Sequence, residues 1–238
     1  MPIYRLGDEP IFPPASHAET GGLLAVGGDL SPERLLGAYS RGIFPWYSEG
    51  EPILWFSPDP RMVLETDQLR VDRGMRRNLR GTSFDLRLDT AFDRVVRACA
   101  RARRREAGTW ITSDMIDAYG HLHELGFAHS AEAWEGDELV GGVYGVGLGD
   151  YFAGESMFHL RMGASLAALI ALVMQLHAWG VRLFDCQTYS AHAARFGAAQ
   201  WPRRVFLGRL RSAIEAPTRR GKWRFDKNLS LWRTAGPD

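Results

Sequence analysis

An α+β fold with a mixed sheet is predicted for this chain by three signals in its second half. The stretch "HSAEAWEGDELVGGVYGVGLGDYFAGESMF" reads as three short strands of an antiparallel meander, with turns at Glu135-Gly136-Asp137 and Gly147-Leu148-Gly149-Asp150. The next stretch, "ASLAALIALVMQLHAWG", is a strongly apolar helix closed by Gly180. A further strand follows in "VRLFDCQ". In a layered domain with that order, the helix must cover one face of the sheet.

The elements before the meander are read in chain order. The first sixty residues are rich in Gly, Pro and aromatic residues. They hold one short helix, with Ser31 as N-cap, Pro32 at its first position and Leu35, Leu36 and Tyr39 at helical spacing; Gly42 ends it. Phe44, Trp46, Tyr47, Trp55 and Phe56 follow with prolines between them, and "SPDPR" at Ser57–Arg61 marks a boundary. The division expected is a small N-terminal domain over 1–60 and a larger domain over 61–238. Residues 88–105 read as a helix with Ala91, Val95, Val96 and Cys99 on one side. A second helix is capped by Thr112 or Ser113, carries Met115, Ile116, Tyr119, Leu122 and Leu125 at helical period, and stops at Gly126.

Composition bounds the function. The 238 residues are 45% hydrophobic and 24% charged, the balance of a globular protein with a real core. Cys99 and Cys186, the two cysteines, have no paired spacing, which argues against a disulfide framework or a zinc site. The N-terminal stretch has no signal-peptide run, and the longest apolar stretch, Ala164 to Met174, is too short to span a bilayer. A soluble, cytoplasmic protein is expected. The net charge of +1 hides an asymmetry: Arg61 to Arg105 holds thirteen Arg, no Lys and six acidic residues. Such a block is either a solvated helix face, as in Arg-rich sequences generally, or a contact to a nucleic-acid backbone. The chain's two Lys fit the compositional explanation, so charge alone leaves both open.

The stretch "RLFDCQTYSAHAARFG" begins like a buried strand and then places Asp185, Cys186 and Gln187 in a row, with His192 five residues on. Strand alternation puts Asp185 and Gln187 on one face and Cys186 on the other. Cys186 therefore reads as a small buried hydrophobe, with a Cys–His pair to His192 as the alternative. His121 and His123 stand two apart on a helix and share no face, so no metal pair is expected.

Three ordered stretches carry a resemblance: "GGDLSPERLLGAYSRGIFPWYS…LWFSPDPR", "GTWIT…AYGHLHELGFAHSAEAW…LVGGVYGV…GESMF" and "DCQ…H…GA…PRR". Together, over about 21–207, they closely resemble the leucyl/phenylalanyl-tRNA–protein transferases. The resemblance implies transfer of Leu or Phe from a charged tRNA to the N-terminal amine of a protein beginning with Arg or Lys, whose product is sent to proteolysis. It also implies a small N-terminal domain followed by an acyltransferase domain of the N-acetyltransferase-like (acyl-CoA N-acyltransferase) type. No metal or coenzyme is implied, because the tRNA ester is already activated.

The implied reaction is aminolysis of an ester, for which positioning and charge stabilisation supply much of the rate. Gln187 can accept a hydrogen bond from the incoming amine through its side-chain carbonyl, and Asp185 can orient Gln187 or attract the amine. The resemblance places Glu155 of "GESMF" in the active site, where a cationic N-terminal substrate fits. Trp46 and Trp110 match the tryptophans associated with the terminal adenosine of the tRNA; stacking a base on an aromatic ring contributes about 1–3 kcal/mol. The amino-acid pocket is expected from Leu169, Leu172 and Leu176 on one helical face, with Val143 and Phe184 from neighbouring strands. His192 matches a family histidine that orders the loop after Gln187. A monomer is expected. The chain departs from the family pattern at His159, Leu160 and Leu166 after "GESMF", and at Ser190, Arg195 and Phe196 after Gln187. Readings from other classes are a paralogue with altered specificity, a non-catalytic tRNA-binding module and, ranked last for want of a Gly-rich pyrophosphate loop, an acyl-CoA-dependent enzyme.

Overall fold

In chain order the first elements are β1 (Tyr4–Leu6), β2 (Leu23–Gly27), α1 (Pro32–Tyr39), β3 (Phe44–Pro45) and β4 (Leu54–Phe56). They come from a computed structural model that describes residues 3–79, 83–104 and 110–227. The four strands form one sheet in the order β1-β2-β4-β3, parallel only between β1 and β2. Helix α1 begins as its sequence dictates, with Pro32 first and the Ser31 hydroxyl accepting from the Arg34 amide.

The larger part comprises β5 (Arg61–Glu65), α2 (Arg73–Leu79), β6 (Asp85–Leu88), α3 (Phe92–Arg104) and α4 (Ser113–Glu124). It continues with β7 (Ala128–Glu135), β8 (Glu138–Leu148), β9 (Tyr151–His159), α5 (Ala164–Ala178), β10 (Leu183–Gln187), α6 (Ala191–Arg195), β11 (Ala199–Trp201) and α7 (Arg203–Ala213). Seven of these strands make a second sheet in the order β11-β5-β10-β9-β8-β7-β6. Every pairing in it is antiparallel except β9 with β10. The meander is present, but its strands run 8, 11 and 9 residues, longer than the short strands the turns suggested.

Alternation along β8 sorts two cores. Val143 faces a layer made by α5, whereas Tyr144 faces α3, α4 and the N-terminal sheet. Helix α5 is buried nearly all round, which is why its sequence is apolar rather than amphipathic. Thr112 caps α4, accepting from the Met115 amide, and Gly126 leaves that helix at φ 79°. Of the arginine block, Arg80 and Arg105 lie outside the described residues, as do Gly108 and Thr109 of the "GTWIT" stretch. Within the described part, Arg94 lies over the Trp134 ring and Arg97 pairs with Asp93 on an exposed face of α3.

One feature of the sheet creates room for a site. The parallel ladder runs Leu183 to Tyr151, Phe184 to Phe152 and Asp185 to Ala153, and ends there. Just beyond, the β8–β9 register passes over Glu155, and the β10–β5 register passes over Cys186. A bulge bends its strand, and two bulges side by side part β9 from β10. Gly154 lies at the fork, where a Cβ would stand 2.8 Å from the Phe184 ring.

Candidate active site at the strand divergence

Two cavities meet at the fork and share Gly154, Glu155, Cys186 and Ser190 as walls. The first, about 140 Å³, is mainly apolar, with Leu64, Val143, Met157, Leu169, Phe184 and Phe196 around it. The second, about 190 Å³, is more polar and is lined by Phe44, Pro45, Trp46, Trp110, Gln187 and Thr188.

Val143, Leu169 and Phe184 thus line the apolar cavity, as the sequence suggested. Leu172 and Leu176 do not: both are fully buried in the core beneath the sheet. The reason is geometric. Helix α5 starts near the open end of the β9–β10 fork, so Leu169 reaches the cavity. Leu172 and Leu176 lie further along the helix, packed into the core between α5 and the sheet. Trp46, 44% exposed, and the half-buried Trp110 both line the second cavity, although they come from segments far apart in sequence.

Gln187 sits at φ 63°, in the left-handed region that side-chain-bearing residues seldom adopt. Cys186, where the bulge falls, borders both cavities but packs against the α5 core. That is opposite the face on which Asp185 reaches Tyr151 and Gln187 reaches Glu155 beside the Tyr39–Tyr119 pair, as alternation suggests. Burial pushes its thiol well above the ordinary cysteine value, so the thiolate a Cys–His hydrolase needs is suppressed.

Asp185 is fully buried and lines neither cavity. Its oxygens accept from Arg61 Nε (2.8 Å) and Nη2 (2.7 Å), from the Tyr151 hydroxyl (2.7 Å) and from the Gln187 amide (2.8 Å). Of the two roles read from sequence, orienting Gln187 fits these contacts. Attracting the amine does not, because the charge is already met. Arg61 lies over the rings of Phe44 and Phe206 and donates to the Gly42 carbonyl. Burial pulls its pKa down, but Asp185 more than offsets this and holds it above the ordinary value.

Glu155 is the group with an unusual proton affinity. Burial, with Asp185 adding, pushes it up to about 7, while hydrogen bonds from Tyr39, Tyr119 and Gln187 pull the other way. Its Oε1 accepts from Tyr39 (2.8 Å) and from Gln187 Nε2 (2.7 Å), and its Oε2 accepts from Tyr119 (3.1 Å). The Gln187 amide is therefore pinned by its nitrogen, and its Oε1 is left without a partner among the described residues.

Arg61, Tyr39, Tyr119 and Tyr151 were not read from sequence as site residues. Arg61 is one of thirteen arginines in its block, and nothing local marks it as buried. The tyrosines left a usable signal: Tyr39 and Tyr119 stand on apolar helix stripes, and a buried phenol needs a partner for its hydroxyl.

The departures from the family pattern have structural accounts. Ser190 caps α6, its hydroxyl accepting from the Ala193 amide. Leu166 is core, Leu160 is exposed, and Arg195 pairs with Asp72 at 2.7 Å on the surface. His192 stands edge-on to Phe196 and lines the apolar cavity.

A family model described as "Leucyl/phenylalanyl-tRNA protein transferase" matches residues 63–211, and one for the N-terminal domain of the same family matches 28–59. The chain belongs to this family. It is therefore an aminoacyltransferase. Leucyl/phenylalanyl-tRNA–protein transferases similar to it include that of Myxococcus xanthus (strain DK1622), 55% identical over 94% of this chain and 97% of the relative. That of Anaeromyxobacter sp. (strain Fw109-5) is 57% identical over 95% and 97%, and that of Nitratidesulfovibrio vulgaris (strain DP4) is 51% identical over 98% and 100%. A solved structure, L-PGS from Bacillus licheniformis, aligns over 87% of this chain and 70% of its own at 13% identity with a TM-score of 0.39, too low to assign a fold. Among the described residues no three His, Cys, Asp or Glu side chains cluster to hold a metal ion, and no helix is long and apolar enough to cross a membrane.

Proposed function

We propose that this transferase moves Leu or Phe, and also Met, from aminoacyl-tRNA to the N-terminal amine of proteins beginning with Arg or Lys, marking them for N-degron proteolysis. The observation that carries the proposal is the junction of the two cavities. Glu155 stands where they join, and Gln187, bound to it, lines the tryptophan-lined side.

The acyl side chain enters the apolar cavity between Val143, Leu169 and Phe184. The terminal adenosine takes the cavity between Trp46 and Trp110. The ester carbon then lies at the junction. Gln187 Oε1 accepts a hydrogen bond from the acceptor amine and aims its lone pair at that carbon. The new C–N bond forms, the bond from the carbonyl carbon to the ribose oxygen breaks, and the proton leaving nitrogen ends on that oxygen. Asp185 acts through the Gln187 backbone, which it anchors in the left-handed conformation. The buried carboxyl of Glu155 favours a cationic amine over a neutral or acidic terminus.

The parting of the parallel strands β9 and β10 supports an N-acetyltransferase-like domain over 61–238, following a small domain over 1–60. We further infer a monomer acting in the cytosol, where charged tRNA is available.

The test is one transfer assay pairing Leu-, Phe- and Met-charged tRNA with peptides that start with Arg, Lys, Asp or Glu. Transfer is expected only to the Arg and Lys peptides. Transfer to the acidic peptides alone overturns the acceptor assignment, and tRNA binding that weakens with salt but yields no transfer to any peptide favours the non-catalytic module.

A further inference from the structure

Tyr39, Tyr119 and Glu155 touch one another in a closed triangle: Tyr39 hydroxyl to Glu155 Oε1, Tyr119 hydroxyl to Glu155 Oε2, and the two hydroxyls to each other in a short contact. All three side chains are buried. Each hydrogen bond needs one proton, and a phenol carries only one. Two phenols can therefore satisfy two sides of the triangle while Glu155 is a carboxylate. The third side needs a proton on Glu155: the carboxyl donates to Tyr119, Tyr119 donates to Tyr39, and Tyr39 donates back to the second carboxyl oxygen.

We propose that Tyr39, Tyr119 and Glu155 form one proton-holding ring, and that this ring takes the proton the acceptor's N-terminal ammonium must shed before its nitrogen can attack. The proposal rests on the aminoacyl-transfer reading of the site. An N-terminal amine has a pKa of about 7.7–8 and reaches the enzyme largely as ammonium. The balance is simple: ammonium plus Glu155 carboxylate gives neutral amine plus Glu155 carboxyl, with no other reactant. The ring closes as the proton arrives, so the protonated state gains a hydrogen bond. Glu155 lines both cavities and can meet the amine directly, whereas the two tyrosines act through it as positioning residues.

The surroundings match this role. Burial first, with Asp185 adding, brings Glu155 to about 7, close to the group it must deprotonate. Tyr39, Tyr119 and Tyr151 are all held well above the ordinary tyrosine value, chiefly by burial, so they stay neutral and relay rather than ionise. The Cys186 thiol is pushed up as well, Arg61 is committed to Asp185, and burial, with Arg195 and His159, holds His192 across the apolar cavity below its usual value. Tyr144 packs edge-on against Tyr119 from β8. Glu155 is thus the group placed to change charge near neutral pH.

Infrared titration of the enzyme alone, without tRNA or peptide, tests the ring separately from the reaction. A neutral-carboxyl stretch that titrates near pH 7, well above the range of ordinary carboxyls, is expected and should be absent in Glu155→Gln. The shifts of its midpoint in Tyr39→Phe and Tyr119→Phe should not add in the double variant, because either change alone opens the ring. With an Arg-starting peptide, the wild-type rate should fall below about pH 7 with one proton, that of the ring, because the amine arrives as ammonium and gives its own proton to Glu155. Glu155→Gln should lower kcat by about 10²–10⁴ and move the one-proton fall up to the amine's own pKa of about 7.7–8. Additive midpoint shifts, or no carboxyl band lost in Glu155→Gln, overturn the ring even if transfer occurs. A titrating ring in an enzyme that transfers nothing overturns the reaction assignment instead.

Discussion

Arg61 grips Asp185 through two parallel hydrogen bonds, Nε to Oδ1 at 2.8 Å and Nη2 to Oδ2 at 2.7 Å, with both side chains sealed from solvent. Removing one partner strands the other as an uncompensated buried charge, at a cost of about 3–5 kcal/mol. Arg61→Leu and Asp185→Leu are each expected to lose that much stability in urea unfolding. The double variant should lose clearly less than the sum, since it buries no lone charge. Additive losses would show that the pair is not coupled as its geometry implies.

Cys186 borders both cavities, yet its thiol is held protonated by burial. Cys186→Ala should therefore keep transfer within a few-fold of wild type, and thiol alkylation near neutral pH should be slow. Loss of activity in Cys186→Ala would restore the covalent alternative with His192.

Much of this arrangement is legible in the sequence. The meander, the apolar helix and the following strand lie where periodicity and turn residues put them, because each signal is local. Gln187, Glu155, Trp46 and Trp110 come together as the motifs suggested. What local sequence could not carry is the pair of bulges at Glu155 and Cys186. A bulge is decided by how two strands pair, and these two open the room in which the cavities form. Arg61 was illegible for a related reason: its partner lies 124 residues away. The extent of the apolar cavity also depends on where β9 and β10 part, and a helical wheel of α5 does not contain that information.

That last point gives a clean contrast on one helix. Leu169 lines the apolar cavity, whereas Leu172 and Leu176 are sealed in the core. Leu169→Ala should enlarge the cavity and shift preference from Leu toward Phe, by a factor set by about 1–3 kcal/mol per methylene. Leu172→Ala and Leu176→Ala should each cost about 2–5 kcal/mol of stability and leave the Leu-to-Phe ratio of kcat/KM nearly unchanged. A changed ratio in Leu176→Ala with normal stability would place that residue back in the pocket.

Glu155 also makes stability depend on pH in an unusual direction for a carboxyl. Burial raises it from 4.5 to about 7 in the folded chain, while in the unfolded chain it titrates near its ordinary value. Between those two values the folded protein holds a proton that the unfolded chain has released. Its contribution to stability is therefore fully present below about 4.5, declines as pH rises through the window, and is lost above about 7. Glu155→Gln has no such proton. The stability difference between Glu155→Gln and wild type should thus move in favour of the variant by on the order of a few kcal/mol as pH rises across that window, and stay flat above it. Urea midpoints measured at several pH values for both proteins check this. A difference that does not change with pH would mean that Glu155 is ionised throughout, and that the tyrosines and Gln187, not burial, control its charge.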